Sequence, residues 1–133
     1  MANGNNPMRW DCEYRGCFNL KRRPKIELFH ECFPGKISFG DVDGIVEING
    51  HGLMLEWKSD TTDLPRGQQI MYTRLTKDHR ITVIILCGDA ETMRVDYMGW
   101  VFGGTYTPPE PETIDGAKQS VSDWVVWAKG DKQ

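Results

Sequence analysis

Asp43, Glu56 and Lys58 lie on either side of an Asn49-Gly50 pair and have the residue types that metal-assisted hydrolysis uses. Asn-Gly is the strongest local signal for a two-residue hairpin turn. Carboxylate oxygens are preferred ligands of hard cations such as Mg²⁺, and a lysine ammonium stabilises negative charge that develops on an attacked group. The pattern therefore predicts a hairpin that carries a cation site beside a positively charged side chain.

The two-residue turn also predicts the register of this hairpin. Counting back from it gives the cross-strand pairs Ile48 with His51, Val46 with Leu53, Asp43 with Glu56, and Asp41 with Lys58. Directly opposed side chains lie about 4.5 to 5.5 Å apart, so opposed carboxylates destabilise a hairpin unless a cation or a proton lies between them. The register therefore predicts a divalent cation held by Asp43, Glu56 and the main-chain carbonyl of Trp57.

The charged residues are not spread evenly over the hairpin. Side chains alternate between the two faces of a strand, so Glu56 and Lys58 share a face. The alternative interpretation is a solvated face in which Asp41 and Lys58 form an ordinary ion pair, worth under about 1 kcal/mol. We favour the cation site because the charges cluster at one end of the face, while Ile45 and Met54 occupy its middle. Asp41 is then a further candidate ligand.

An α-helix is predicted ahead of the hairpin. It begins near Pro24, a residue suited to a first helical turn, and ends at Pro34-Gly35. Ile26, Phe29 and Phe33 recur at helical spacing, so they are predicted to face the core.

The other elements follow from periodicity and turn residues. Strands are predicted over 37–48, 53–58, 81–87 and 94–102, helices over 65–75 and 114–128, and an irregular proline-containing loop over 103–112. The run 81–87 is continuously apolar, as in a strand buried on both faces, and is the predicted centre of the sheet. Asp63 is the predicted cap of the helix over 65–75.

Length and composition predict a single domain over 1–133, with 39% hydrophobic residues to form one core. Within it we distinguish a variable N-terminal segment over 1–20, a core over 21–102, and a loop with a closing helix over 103–133. The sequence has no signal-peptide pattern and no apolar run of about 20 residues, which predicts a soluble, cytoplasmic protein with no membrane partner.

The net charge of −3 argues against a broad basic surface of the kind that nucleic-acid-binding proteins often have. One basic cluster departs from this balance and consists of Lys21, Arg22, Arg23 and Lys25. It fits a DNA-binding patch that contacts phosphates and, equally, a solvated helix start.

The four cysteines, Cys12, Cys17, Cys32 and Cys87, include no CxxC spacing, and we predict free thiols. The alternative is a structural Zn²⁺ site built from Cys12, Cys17 and Cys32 with His30.

At the level of motifs, the sequence resembles the PD-(D/E)XK nucleases. The resemblance rests on Gly40-Asp41-Val42-Asp43 followed by Glu56-Trp57-Lys58, and it extends over 24–88. Gln68 and Tyr72 add the Gln-x-x-x-Tyr helix of the branch that includes the nuclease domains of recombination helicases. The sequence has Val42-Asp43 where the family name gives Pro-Asp, and this leaves Asp41 as a rival to Asp43.

The resemblance implies a restriction-endonuclease-like α/β (α+β) fold, with an α-β-β-β-α-β core and a central mixed sheet flanked by helices. It also implies a Mg²⁺- or Mn²⁺-dependent deoxyribonuclease that hydrolyses phosphodiester bonds with a metal-activated water. Small members of this kind act on DNA in recombination, repair or processing in bacterial or phage-infected cells.

By the same resemblance, Asp43 and Glu56 are metal ligands, Lys58 is the catalytic lysine, and Gln68 supports the site. Glu27 and Glu31 both match a first-helix glutamate, and we prefer Glu31 as a further ligand. The alternative function is a catalytically silent nuclease-fold protein that binds DNA or a host protein. A homodimer or a protein partner is compatible with either function.

Overall fold

The structure is a computed structural model that describes residues 25–37, 39–59 and 63–130. The chain divides into two compact units between Asp41 and Val42. In the first unit a 3-10 helix spans Ile26–Cys32. The second unit is α+β and contains a five-stranded mixed sheet with two α-helices. Among the described residues, no helix is both long enough and apolar enough to cross a bilayer.

The second unit begins with the hairpin strands β1, Gly44–Ile48, and β2, His51–Lys58, and continues with helix α1, Arg66–Leu75. Strands β3, Ile81–Asp89, β4, Arg94–Phe102, and β5, Thr105–Pro111, follow, and helix α2, Ile114–Gly130, closes the unit. The sheet order is β1-β2-β3-β4-β5. Among the described strands only β2 and β3 are parallel neighbours, and α1 supplies the crossover that such a pair requires.

Strand β3 forms the centre of the sheet, as its apolar run predicts. Every residue from Thr82 to Gly88 is buried, and strands pair with it on both sides. Its side chains divide between two core clusters, because successive residues point to opposite faces. The α2 face contains Leu53, Ile84, Leu86, Val95, Ala117, Trp124 and Ala128. The α1 face contains Leu64, Tyr72, Val83, Ile85, Cys87 and Val101.

The first predicted helix differs from expectation. Residues Ile26–Cys32 form a 3-10 helix with no buried residue, and the Phe29 side chain is 53% exposed. A 3-10 helix has three residues per turn, so an apolar set at α-helical spacing does not form one stripe. Phe33 instead makes an edge-to-face contact with Phe39, with ring centroids 5.3 Å apart.

Three boundary predictions are also corrected. Strand β1 begins at Gly44 and does not extend back to residue 37. Helix α1 has Pro65 at its N-cap with no side-chain cap, so the predicted cap at Asp63 is wrong. The predicted loop over 103–112 contains strand β5, whose prolines are tolerated because β5 is an edge strand with a bulge beside Gly99.

Candidate metal site

The Asn49-Gly50 turn sets the geometry of the hairpin. Both residues have positive φ, 55° and 86°, as a type I′ turn requires. The resulting ladder pairs Ile48 with His51 and Val46 with Leu53, which confirms the predicted register. The Asn49 amide also donates to the carbonyl of Ala128 over 3.2 Å, and this bond joins the turn to α2.

Asp43 lies immediately before β1 and takes part in the sheet through its side chain. The β1–β2 ladder ends at Gly44 and Leu55, so the predicted pairs of Asp43 with Glu56 and of Asp41 with Lys58 are not part of it. The Trp57 N–H donates to Asp43 Oδ2 over 2.7 Å. The carboxylate thus occupies the position of a backbone acceptor, which explains why the regular strand starts one residue later.

The carbonyl of Trp57 points to the same edge as its N–H. In an antiparallel ladder, the residues that face the neighbouring strand alternate, and each of them directs both its N–H and its C=O to that side. The Trp57 N–H reaches Asp43 on the β1 side, so the Trp57 C=O also points to that side, beyond the end of β1. This oxygen therefore lies on the side of β2 that also faces Asp43.

Glu56 is held by a tyrosine from helix α1. The Tyr72 hydroxyl donates to Glu56 Oε1 over 2.9 Å, and Tyr72 is only 2% exposed. Burial raises the pKa of Tyr72 above its usual value, and the hydrogen bond and charge of Glu56, followed by the charge of Asp43, raise it further. Both negative charges therefore favour the protonated hydroxyl, and Glu56 Oε2 accepts no hydrogen bond from a described residue.

Lys58 is the last residue of β2 and is half-buried. It shares the α1 face with Glu56 because the two residues are two apart on one strand. Within the described part of the chain, Lys58 forms no ion pair. Its ammonium is therefore available to a group that binds at the carboxyl end of β2, where α/β proteins commonly bind ligands.

Gln68 lies one turn before Tyr72 on α1. Its side-chain oxygen Oε1 is buried and has no hydrogen-bond partner among the described residues. A buried acceptor without a partner is costly in a folded protein, and an amide oxygen is a ligand type that hard cations accept. This orphaned oxygen can accept a hydrogen bond from a metal-bound water, and the two carboxylates with the main-chain carbonyl are the oxygen ligands that Mg²⁺ or Mn²⁺ prefers.

The further ligands predicted from the sequence do not belong to the unit that carries β2 and α1. Glu31 and Asp41 belong to the first compact unit, and both are exposed. Glu27 and Glu31 were expected on one α-helical face, but four residues in a 3-10 helix correspond to a rotation of about 120°. Among the described residues, no three His, Cys, Asp or Glu side chains form a group that could hold a metal ion.

The predictions that concern the N-terminal residues are only partly covered. Lys21, Arg22 and Arg23 lie outside the described residues, whereas Lys25 is described and exposed. Cys12 and Cys17 also lie outside them. Cys32 is an exposed free thiol on the 3-10 helix that also contains His30, and Cys87 is buried in the sheet.

Tyr72 is the site residue to which sequence analysis assigned no role. Its spacing from Gln68 placed both residues on one helix face, but nothing local to α1 indicates that the hydroxyl reaches Glu56 on another element. The signal present in the sequence was the position of Tyr72 four residues after Gln68.

Comparisons with protein-family models, with curated proteins and with solved structures each yield no match to this chain.

Proposed function

We propose that this chain is a Mg²⁺- or Mn²⁺-dependent deoxyribonuclease of the PD-(D/E)XK type. The observation that carries the proposal is the anchoring of two carboxylates at the end of β2: the Trp57 N–H donates to Asp43 Oδ2 over 2.7 Å, and the Tyr72 hydroxyl donates to Glu56 Oε1 over 2.9 Å. Carboxylate oxygens are the ligands that hard divalent ions prefer, so two anchored carboxylates at this strand end favour a site for Mg²⁺ or Mn²⁺.

The order of elements supports the proposal in part. The sequence β1-β2-α1-β3, with β3 parallel to β2, agrees with the last four elements of an α-β-β-β-α-β core. Before β1, the described residues contribute a 3-10 helix and no third strand. The restriction-endonuclease-like fold is therefore part of what we propose.

Each side chain has a role in this proposal. Asp43, Glu56 and the Trp57 carbonyl would hold the ion, and Gln68 Oε1 would accept a hydrogen bond from its hydration shell. The ion supplies Lewis acidity and lowers the pKa of a nearby water. Tyr72 fixes the Glu56 carboxylate, and the Lys58 ammonium orients the attacking water and stabilises negative charge on the phosphoryl oxygens.

A cleavage assay tests this function. Purified protein with Mg²⁺ or Mn²⁺ is incubated with linear, nicked, branched and single-stranded DNA. Removal of one electrostatic stabiliser typically lowers kcat by a factor of about 10² to 10³. We therefore expect the kcat of Lys58→Ala to be lower than that of the wild type by this factor. The exposed Lys77 provides the matched control, because Lys77→Ala removes an equal charge outside the site. Cleavage of no DNA form, or equal cleavage by Lys58→Ala and wild type, would contradict the proposal.

Calorimetric titration separates the nuclease from a catalytically silent protein of the same fold. The wild type is expected to bind Mg²⁺, and Asp43→Asn is expected to bind it more weakly because one anionic ligand is lost. If the wild type binds no Mg²⁺ at millimolar concentrations and cuts no DNA, the alternative of a non-catalytic DNA- or protein-binding role is favoured.

A further inference from the structure

The two edges of the sheet differ in how they are protected. Strand β5 carries Pro108, Pro109 and Pro111, which have no N–H to offer to another strand. Strand β1 has no proline and a single charge, Glu47, and its Ile45 and Val46 side chains are 64% and 48% exposed. An exposed apolar edge strand without such protection is a template for pairing with a further strand.

The ladder determines which backbone groups of β1 are unpaired. A two-residue hairpin turn is closed by a hydrogen-bonded pair, here Ile48 with His51, and hydrogen-bonded pairs recur at every second residue. The backbone groups of Ile45 and Glu47 therefore point away from β2. No backbone hydrogen bond joins either residue to a described residue on that outer side.

We propose that β1 pairs antiparallel with β1 of a second copy of this chain, about a two-fold axis at Val46. This register opposes Ile45 with Glu47 of the second copy, and the symmetry repeats that pair on the other side of the axis. Both outward N–H groups and both outward C=O groups of each copy are then paired. The two sheets join into one continuous sheet across the interface.

Two other registers would also pair the outward-facing backbone groups of β1, and charge repulsion disfavours both of them. A register centred on Ile45 would oppose Glu47 with Asp43 of the second copy. A register centred on Glu47 would oppose the two Glu47 carboxylates directly. Like charges directly opposite each other destabilise a strand pair, whereas the register centred on Val46 opposes each Glu47 with an uncharged residue.

The second copy is favoured over an unrelated strand because β1 is complementary to itself. The outward donors and acceptors lie symmetrically on either side of Val46, which has no charge and is half-exposed. The pair of Val46 residues at the axis is a non-hydrogen-bonded pair, in which antiparallel Cα atoms are closest, about 4.5 Å apart. Their side chains would cover each other on the α2 face.

Disulfide trapping tests the register. In the proposed dimer, Val46→Cys places two thiols across the axis at a Cα separation of about 4.5 Å, within the range that a disulfide accepts. Glu47→Cys in both copies places the thiols two residues apart along the strands, about 7 Å by strand rise alone, so it is the matched control. Mild oxidation should crosslink Val46→Cys rapidly and Glu47→Cys no faster than the wild type, which carries the native cysteines.

Other crosslinking patterns would contradict or support the proposed register. Preferential crosslinking of Glu47→Cys, or of Ile45→Cys, would show one of the charge-disfavoured registers and overturn the proposal. Crosslinking of a mixture of Ile45→Cys with Glu47→Cys, above that of either variant alone, would support it, because these two positions oppose each other.

Sedimentation equilibrium tests whether pairing occurs without a crosslink. Ile45→Pro removes an outward N–H and leaves the ladder with β2 unchanged, so it should weaken the dimer about tenfold or more while the circular dichroism spectrum is retained. Ile45→Lys, which places a charge at a 64% exposed position, should act in the same direction without the backbone change. A wild type that sediments as a monomer throughout the micromolar range, or equal association by wild type and both variants, would overturn the proposal.

Discussion

The two faces of the sheet are covered to different extents. Helix α2 has 17 residues and packs on an entirely apolar cluster that includes Trp124. Helix α1 has 10 residues, buries only Tyr72 of its own, and leaves Glu56 and Lys58 half-exposed at the end of β2. Complete burial of a carboxylate is expensive. The shorter helix therefore permits charged chemistry at one end of a strand whose other face is core.

The largest expected effect concerns the α2 face. Trp124 is 5% exposed, and its Nε1 donates to Thr82 Oγ1 over 3.1 Å. Trp124→Ala should lower the free energy of unfolding by about 3 to 5 kcal/mol, because it leaves a cavity and an unpaired hydroxyl. Urea denaturation measures this loss. Val126 on the same helix is 71% exposed, and Val126→Ala should change stability by less than about 0.5 kcal/mol. Similar losses in both variants would remove the contrast between core and solvent sides of α2.

Next in size is the effect of a divalent ion on the α1 face. If Asp43 and Glu56 hold Mg²⁺, an ion concentration of a hundred times Kd should raise the free energy of unfolding by about 2.7 kcal/mol. Thermal denaturation with and without Mg²⁺ measures the gain. Asp43→Asn should lose most of it, whereas Asp78→Asn, which removes an exposed carboxylate near the other end of β3, should retain it. Equal gains in both variants would place the ion elsewhere.

A smaller effect is expected from the Tyr72 hydroxyl. Tyr72→Phe removes the 2.9 Å bond to Glu56 and should cost about 1.5 kcal/mol without metal, at the low end for bonds to charged groups because Glu56 can also reach water. A double-mutant cycle with Glu56→Gln measures whether the two side chains act together. Strictly additive losses would mean that the bond does not contribute to stability.

The smallest expected effect is a dependence on alkaline pH. The pKa of Tyr72 is raised in the folded state, chiefly by burial and by Glu56, so the folded protein holds this proton more tightly than the unfolded chain does. The resulting stability is present below the ordinary tyrosine pKa of about 10 and is lost as the pH rises above it. Urea denaturation between neutral pH and pH 11 should therefore show a steeper decline for the wild type than for Tyr72→Phe. Parallel declines would contradict the assignment.

Features set by local patterns were predictable from sequence. The Asn49-Gly50 turn and the apolar run of β3 determine the register of the hairpin and the centre of the sheet, because each requires only neighbouring residues. The contact of Tyr72 with Glu56 was not predictable, since it depends on how the crossover places α1 over the sheet. Strand β5 was missed because its prolines argue against a strand unless the residue positions at an edge and a bulge are known.

The Asn49-Gly50 turn also limits how this chain can change during evolution. Side chains alternate along β1, so one residue inserted into the turn, with pairing shifted accordingly, would move Val46 and Ile48 to the opposite face. It would also shift Asp43 relative to the Trp57 N–H, from which its carboxylate accepts a hydrogen bond. Among chains that share this hairpin, we therefore expect insertions and deletions to be excluded from the turn, even where its flanking sequence diverges.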